Sequence, residues 1–238
     1  MEVIATTPFG RRPMTLGMLA TQLDAGDVDP QRTVDKWKVF RALCEARTVI
    51  GVGDRALAVL SALLSFHPDT MLGAEQGLVV FPSNAQLSIR AHGMAPATLR
   101  RHLADLVGAG LVIRRDSPNG KRYARKGQGG AIEQAYGFDL SPIVARAQEF
   151  KDLAEAVRLE KRAIRAVKER LTICRRDIVK MIDAGIEEGV PVNWGRVQQT
   201  FRAIVGRLPR TAPRQVLEVM PASWRNFGRR FAMCWNPS

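Results

Sequence analysis

The sequence predicts a mainly α protein with a small β-wing: a winged helix-turn-helix domain followed by a long helix and a short helical C-terminal segment. Three observations predict it. Residues 83–126 read, without slack, as a short helix, a glycine-containing turn, a second helix and a basic hairpin. A heptad-spaced apolar repeat begins at Phe150 and persists to Met181. Charge also divides the chain, with 8 Lys/Arg against 9 Asp/Glu in residues 1–80 and 28 against 14 in residues 81–238. The net charge is +13 and the pI about 10.6. A positive field that starts where the helix-turn-helix starts fits a polyanion rather than a small acidic substrate. Hydrophobic residues make up 46% of the chain, enough for a core and too many for wholesale disorder.

Residues 1–31, rich in Gly, Pro, Thr and Asp, read as an irregular, solvated arm. Arg11 and Arg12 beside Pro8 and Pro13 give it the character of a minor-groove arm. A domain over 32–141 follows. Its first helix has Thr33 as N-cap and carries Val34, Trp37, Phe40, Leu43 and Cys44 at helical spacing to Arg47. Asp54 caps a second helix, apolar nearly all round and therefore deep, which stops before Pro68. Residues 69–77 are a loop, and Leu78–Phe81 a short buried strand ended by Pro82. Ser83 then caps a helix that buries Leu87 and Ile89, and His92-Gly93-Met94 makes the turn. Pro96 opens the next helix, where its missing N–H costs nothing, and Leu99, Leu103, Leu106 and Val107 form its apolar stripe. Gly108 and Gly110 close it. Leu111–Ile113 is a strand, Asn119-Gly120 a tight hairpin turn, Lys121–Ala124 the returning strand, and Tyr136–Leu140 one strand more.

Residues 142–215 read as a long basic helix and a helical hairpin. The helix starts at Ser141-Pro142 and runs to about Gly185, roughly 65 Å. Phe150, Val157, Ile164, Leu171 and Ile178 recur every seven residues, with Leu153, Glu160, Val167, Cys174 and Met181 three positions on. This 150–182 seam suits a homodimer contact or packing within the chain. Arg158–Lys180 holds nine Lys/Arg against three Asp/Glu. A further helix spans about Trp194–Leu208, and residues 216–238 form an atypical tail.

The chemistry of this pattern is duplex DNA recognition. The second helix of a helix-turn-helix exposes short polar and basic side chains near its N-terminus. Here these are Ala95, Pro96, Ala97, Thr98, Arg100, Arg101 and His102. Thr98 suits a phosphate or a thymine methyl, and Arg100 or Arg101 a bidentate contact to guanine. Ser83, Asn84 and Gln86 suit phosphates that fix register. On the wing, Arg114, Arg115, Lys121, Arg122, Arg125 and Lys126, with Asn119 at the tip, face Asp116 alone.

The segments DKWKVFRALCEAR, DRALAVLSALLSFHP and VVFPSNAQLSIRAHGMAPATLRRHLADLVGAGLVIRRDSPNGKRYARK, with the GFDLSP step, resemble the N-terminal region of the RepC family, the replication initiators of repABC-type plasmids. The resemblance reaches about residue 215. It implies a winged-helix domain that recognises a plasmid origin and is limiting for initiation. It also implies that Ser83–Arg90 is the positioning helix, Pro96–Val107 the recognition helix and Asn119–Arg122 the wing tip, and it implies no enzymatic activity. Family members are longer, with a second C-terminal domain. The tail from Val219 departs from their pattern and reads as a truncated or frameshifted product.

Other chemistry finds no motif. There is no phosphate-binding GxxxxGK[ST] loop, and Gly51-Val52-Gly53 reads as a turn. His67, His92 and His102 lack metal-ligand spacing, so no metal or cofactor is expected. Cys44, Cys174 and Cys234 are odd in number and far apart, which fits a reducing cytoplasm, where the chain is expected to associate with nucleoid or plasmid. Neither a signal peptide nor an apolar run of ~18 residues is evident, so no membrane partner is expected. The rival functions are a winged-helix transcriptional regulator and a basic helical protein-interaction module.

Overall fold

A computed structural model describes residues 15–26, 29, 31–73, 77–118, 120–126 and 132–206. The chain divides into two compact units, residues 1–157 and 158–238. Mainly helical, with small antiparallel sheets, it has the fold class expected from the sequence.

The first unit opens on a correction. Leu16–Gly26 is a helix, α1, not part of an irregular arm. Thr15 starts it, its hydroxyl accepting from the Met18 N–H at 3.3 Å. Glycines at both ends of a Leu-rich run had hidden its periodicity. Thr33 is likewise no helix cap. Thr33–Asp35 is strand β1, paired antiparallel with Met71–Gly73, β2, inside the expected loop. The cap lies two residues on, where the Asp35 carboxylate accepts from Trp37 N and Lys38 N at 2.9 and 3.0 Å. Helix α2, Lys36–Ile50, ends at Gly51, whose φ of +77° is the left-handed C-cap conformation. Helix α3, Asp54–Phe66, is buried at seven of its positions. Asp54 does not cap it through its side chain but accepts from Arg47 Nε at 2.9 Å.

The expected succession then appears: strand β3 (Val79–Val80), helix α4 (Asn84–Arg90), helix α5 (Pro96–Gly108), and strands β4 (Ile113–Arg115), β5 (Tyr123–Lys126) and β6 (Ile132–Asp139). Helices α3, α4 and α5 pack on one another through Leu60, Leu63, Leu87, Leu99, Leu103 and Leu106, all fully buried. Ile89, expected inside, is 76% exposed. A seven-residue helix turns a single position, Leu87, fully inward.

The strand pairing differs from the expected hairpin. Strands β4 and β5 do not pair across Asn119-Gly120. Both pair with β6, Ile113–Arg115 opposite Asp139–Gly137 and Tyr123–Lys126 opposite Tyr136–Ile132. Strand β3 pairs with β6 as well, giving the order β3-β6-β4. Residues 116–122 are thus an excursion between two strands, and the hairpin is β5–β6. Its connection, 127–131, lies outside the described residues, as do Asn119 and the Arg11–Arg12 arm.

The long helix is interrupted near its start. Ser141–Ala145 is α6 and Ala147–Glu187 is α7, about 60 Å long. Phe150 and Ala154 lie in the first unit's core. In the second unit Val167, Leu171, Ile178 and Ile182 are buried against Trp194, Val197, Phe201 and Ile204 of α8 (Trp194–Gly206). The 150–182 seam is therefore covered by the chain's own side chains at Phe150 and from Ile164 to Ile182, while Glu160 is exposed. The tail from Val219 lies outside the described residues.

One glycine holds the sheet. A Cβ on Gly137 would meet the Val80 carbonyl oxygen and lie 3.0 Å from Phe81 Cα. Gly137→Ala is expected to push β3 off β6 and lower stability by about 1–3 kcal/mol in urea unfolding.

Candidate nucleic-acid interface

Helix α4 begins with a reciprocal capping box. Ser83 Oγ accepts from Gln86 N at 3.2 Å and Gln86 Oε1 accepts from Ser83 N at 2.9 Å. These two candidate phosphate ligands thus already have backbone partners, while Asn84 is exposed with neither role. The turn that follows carries two consecutive left-handed residues, His92 at φ +60° and Gly93 at φ +72°. Ser88 Oγ donates to Met94 O at 2.7 Å and closes it.

Helix α5 presents two unlike faces. Leu99, Leu103 and Leu106 are fully buried, whereas Ala95, Pro96, Ala97, Arg100 and Arg101 are exposed and Thr98 is half-buried. Small residues at the first turn leave its backbone open to a close approach, and the two arginines stand one turn further along. His102 is a correction. It is buried, with Nδ1 3.1 Å from Asp105 Oδ2.

The wing cations separate into two sets. Arg115 donates through Nε and Nη2 to Oδ2 of Asp139, a carboxylate only 2% exposed, whose Oδ1 accepts from Ser141 N at 2.8 Å. Arg122 donates to the Pro82 carbonyl at 2.9 Å and lies 4.5 Å over the Phe138 ring. Burial first, and then the neighbouring Arg114, pull its pKa down to about 10, against the pull of Asp116. Arg114 is half-buried on Asp116. The 116–122 excursion is closed internally, Ser117 Oγ donating to Lys121 O at 2.6 Å. Exposed candidates remain in Lys121 and Arg125. Lys126 belongs to β5, and its side chain is outside the described residues.

Asp139 and Arg146, which no motif singles out, matter here. Asp139 organises Arg115 and the start of α6. Its signal was an acid between Phe138 and Leu140 in a buried strand, a place where a carboxylate needs a partner. Arg146 donates to Ala109 O and Gly110 O at 3.1 and 3.0 Å, satisfying carbonyls at the end of α5, and forks onto Glu149. That hydrogen bond holds the Glu149 carboxyl below its ordinary pKa. Among the described residues no cluster of His, Cys, Asp or Glu could hold a metal ion, and no helix is long and apolar enough to cross a membrane.

Residues 12–186 match the family model described as replication protein C N-terminal domain. The chain is 59% identical over 207 residues to a candidate replication protein C of Sinorhizobium fredii (strain NBRC 101917 / NGR234), covering 87% of this chain and 51% of that protein. It is 55% identical over 205 residues to a candidate replication protein C of Rhizobium rhizogenes, covering 86% of this chain and 51% of that protein. The chain thus spans about half the length of the curated relatives it matches. No solved structure matches it.

Unfolding separates the structural from the exposed arginines. Arg115→Ala strands a buried carboxylate and is expected to cost about 3–5 kcal/mol. Arg122→Ala leaves the Pro82 carbonyl unpaired, at about 1–3 kcal/mol. Arg100→Ala and Arg101→Ala should stay within about 0.5 kcal/mol of the parent. Equal losses across all four would contradict a division between structural and exposed arginines.

Proposed function

The chain belongs to the replication protein C family through its N-terminal domain, and from that premise we propose that it is a plasmid replication initiator that binds origin duplex DNA sequence-specifically through a winged helix-turn-helix. The observation that carries this reading is the two-faced α5. Its apolar side is locked into the core, and its N-terminal half offers Ala95, Ala97, Thr98, Arg100 and Arg101 outward. The element order and the β3-β6-β4 sheet support the same reading.

Each part has a physical role. Helix α5 enters the major groove with small residues leading, so its backbone comes close to the base edges. Arg100 and Arg101 then reach the groove floor, where a guanidinium on guanine O6 and N7 discriminates by about 1–3 kcal/mol. Arg125 and Lys121 supply sequence-independent contact to the backbone. Arg115 and Arg122 shape the wing through their own partners, Asp139 and the Pro82 carbonyl. This role needs no bound cofactor and no reaction, so no enzymatic activity is proposed. The proposed setting is the cytoplasm, on the plasmid itself.

A homodimer through the 150–182 seam is the weaker part of the picture, because Leu171 and Ile178 already pack against α8 residues. A regulator of transcription would read DNA with the same α5 and differ in its target sites.

Selection of duplexes from a random pool tests recognition directly. The parent should enrich one motif, and an origin duplex should carry it. Arg100→Ala and Arg101→Ala should relax preference at single positions by about 1–3 kcal/mol. Loss of equal size on every duplex would make them phosphate contacts. Sedimentation of the parent beside Leu171→Asp tests the seam, and a monomeric parent ends the dimer reading.

A further inference from the structure

We infer that the solvent face of α7 in the second unit is a separate duplex-binding surface, which holds the phosphate backbone without regard to sequence. It goes beyond the α5 reading and rests on different residues. Arg162, Arg165, Arg176 and Lys180 fall within about 60° of one another at 100° per residue, with exposed Glu169 as the one acid among them between Arg162 and Lys180, on the side of the helix away from Val167, Leu171 and Ile178. All four are exposed, with exposed Lys161 and Lys168 on the flank. The opposite side of α7 is occupied by Trp194, Val197 and Phe201 of α8, so this charged face is the one presented outward.

Charge balance points to a ligand rather than to helix stabilisation. Exposed helices gain from opposite charges at i,i+4 and lose from like charges there. Here Lys161 and Arg165, and Arg176 and Lys180, are like-charged at that spacing, and Arg165 and Lys168 at i,i+3. Glu169 stands at i,i+4 from Arg165 and Asp177 at i,i+3 from Lys180, but neither forms an ion pair with these cations among the described residues. Among the described residues none of Arg162, Arg165, Arg176 or Lys180 is in an ion pair. The face accepts self-repulsion that a dense polyanion would relieve. Arg162 to Lys180 spans about 27 Å, less than one turn of duplex, along which B-DNA carries one charge per about 1.7 Å. Over that length the duplex presents roughly sixteen charges, so the four cations and the two on the flank suit a few phosphate contacts at either end of the span. An anionic lipid surface is less well matched, because a helix that binds there buries its apolar face, and α8 side chains already pack on that face.

The test uses the full chain with Arg162→Gln, Arg165→Gln, Arg176→Gln and Lys180→Gln combined. Gln keeps helix propensity at exposed positions, and circular dichroism checks the fold. Affinity is measured by salt titration on two duplexes, one from the selected pool and one scrambled. The variant should lose at least tenfold on both, with the slope of log K against log salt shallower by about two to four, at about 0.9 per phosphate contact removed. The preference between the two duplexes should not change. A companion variant carrying Lys at all four positions should recover most of the affinity, because a phosphate contact needs the charge and not the fork. An unchanged slope and affinity in the Gln variant overturns the inference. So does failure of the parent to bind duplex while it binds phosphatidylserine vesicles. Failure of the α5 reading looks different, since it removes sequence preference in the parent and leaves the α7 salt effect intact.

Discussion

Strand β6 is the constraint on which the candidate interface depends. Among the described strands, β3, β4 and β5 each pair with β6 and with no other. The entry to α4, the exit from α5 and the return from the 116–122 excursion are therefore all placed by one eight-residue strand. Gly137 is where that load concentrates, because the β3 backbone comes so close that no side chain fits. Its neighbours serve the same end. Phe138 is fully buried, and Asp139 draws both Arg115 and the α6 N-terminus to the strand's end.

The basic charge of the first unit is divided between two tasks. Arg90, Arg122 and Arg146 each lie over a phenylalanine ring, at 3.7, 4.5 and 4.8 Å from Phe66, Phe138 and Phe150, and each donates to a backbone carbonyl. Such an arginine closes the edge of a core with its planar face and satisfies an otherwise unpaired oxygen with its fork. Among the described residues Arg100 and Arg101 have neither ring nor carbonyl as partner, and both are exposed on α5. Formal charge therefore overstates the number of arginine forks that a ligand could engage.

The sequence was most legible where a single helix decides its own burial. The α5 stripe of Leu99, Leu103 and Leu106 repeats at helical spacing, so its exposed face, the buried His102 apart, followed from the same pattern. It was least legible where a partner lies far along the chain. Asn119-Gly120 signals a turn but not which strands pair beyond it, and β6 outcompeted the local hairpin. The partners of Arg115 and Arg122 are 24 and 40 residues away, beyond any local pattern. Thr33 was misread for a similar reason, since β1 exists through pairing with β2 and moves the helix start to Asp35. Ile89 misled because spacing within so short a helix does not fix which side faces the core.

The pairing of Val80 with Phe138 has a consequence for how the molecule comes into being. Synthesis runs from the N-terminus, so α4 and α5 emerge well before the strand that closes over β3. Until β6 arrives, β3 and β4 have open edges, and α4, at seven residues, is too short to persist by its own hydrogen bonds. The contacts that end this interval span about sixty positions, and such long loops close slowly. Helices α4 and α5 are thus completed from behind, by the last strand of the sheet to be made. For the nascent chain, the interval before that strand is when exposed apolar surface and unpaired edges invite association with other chains.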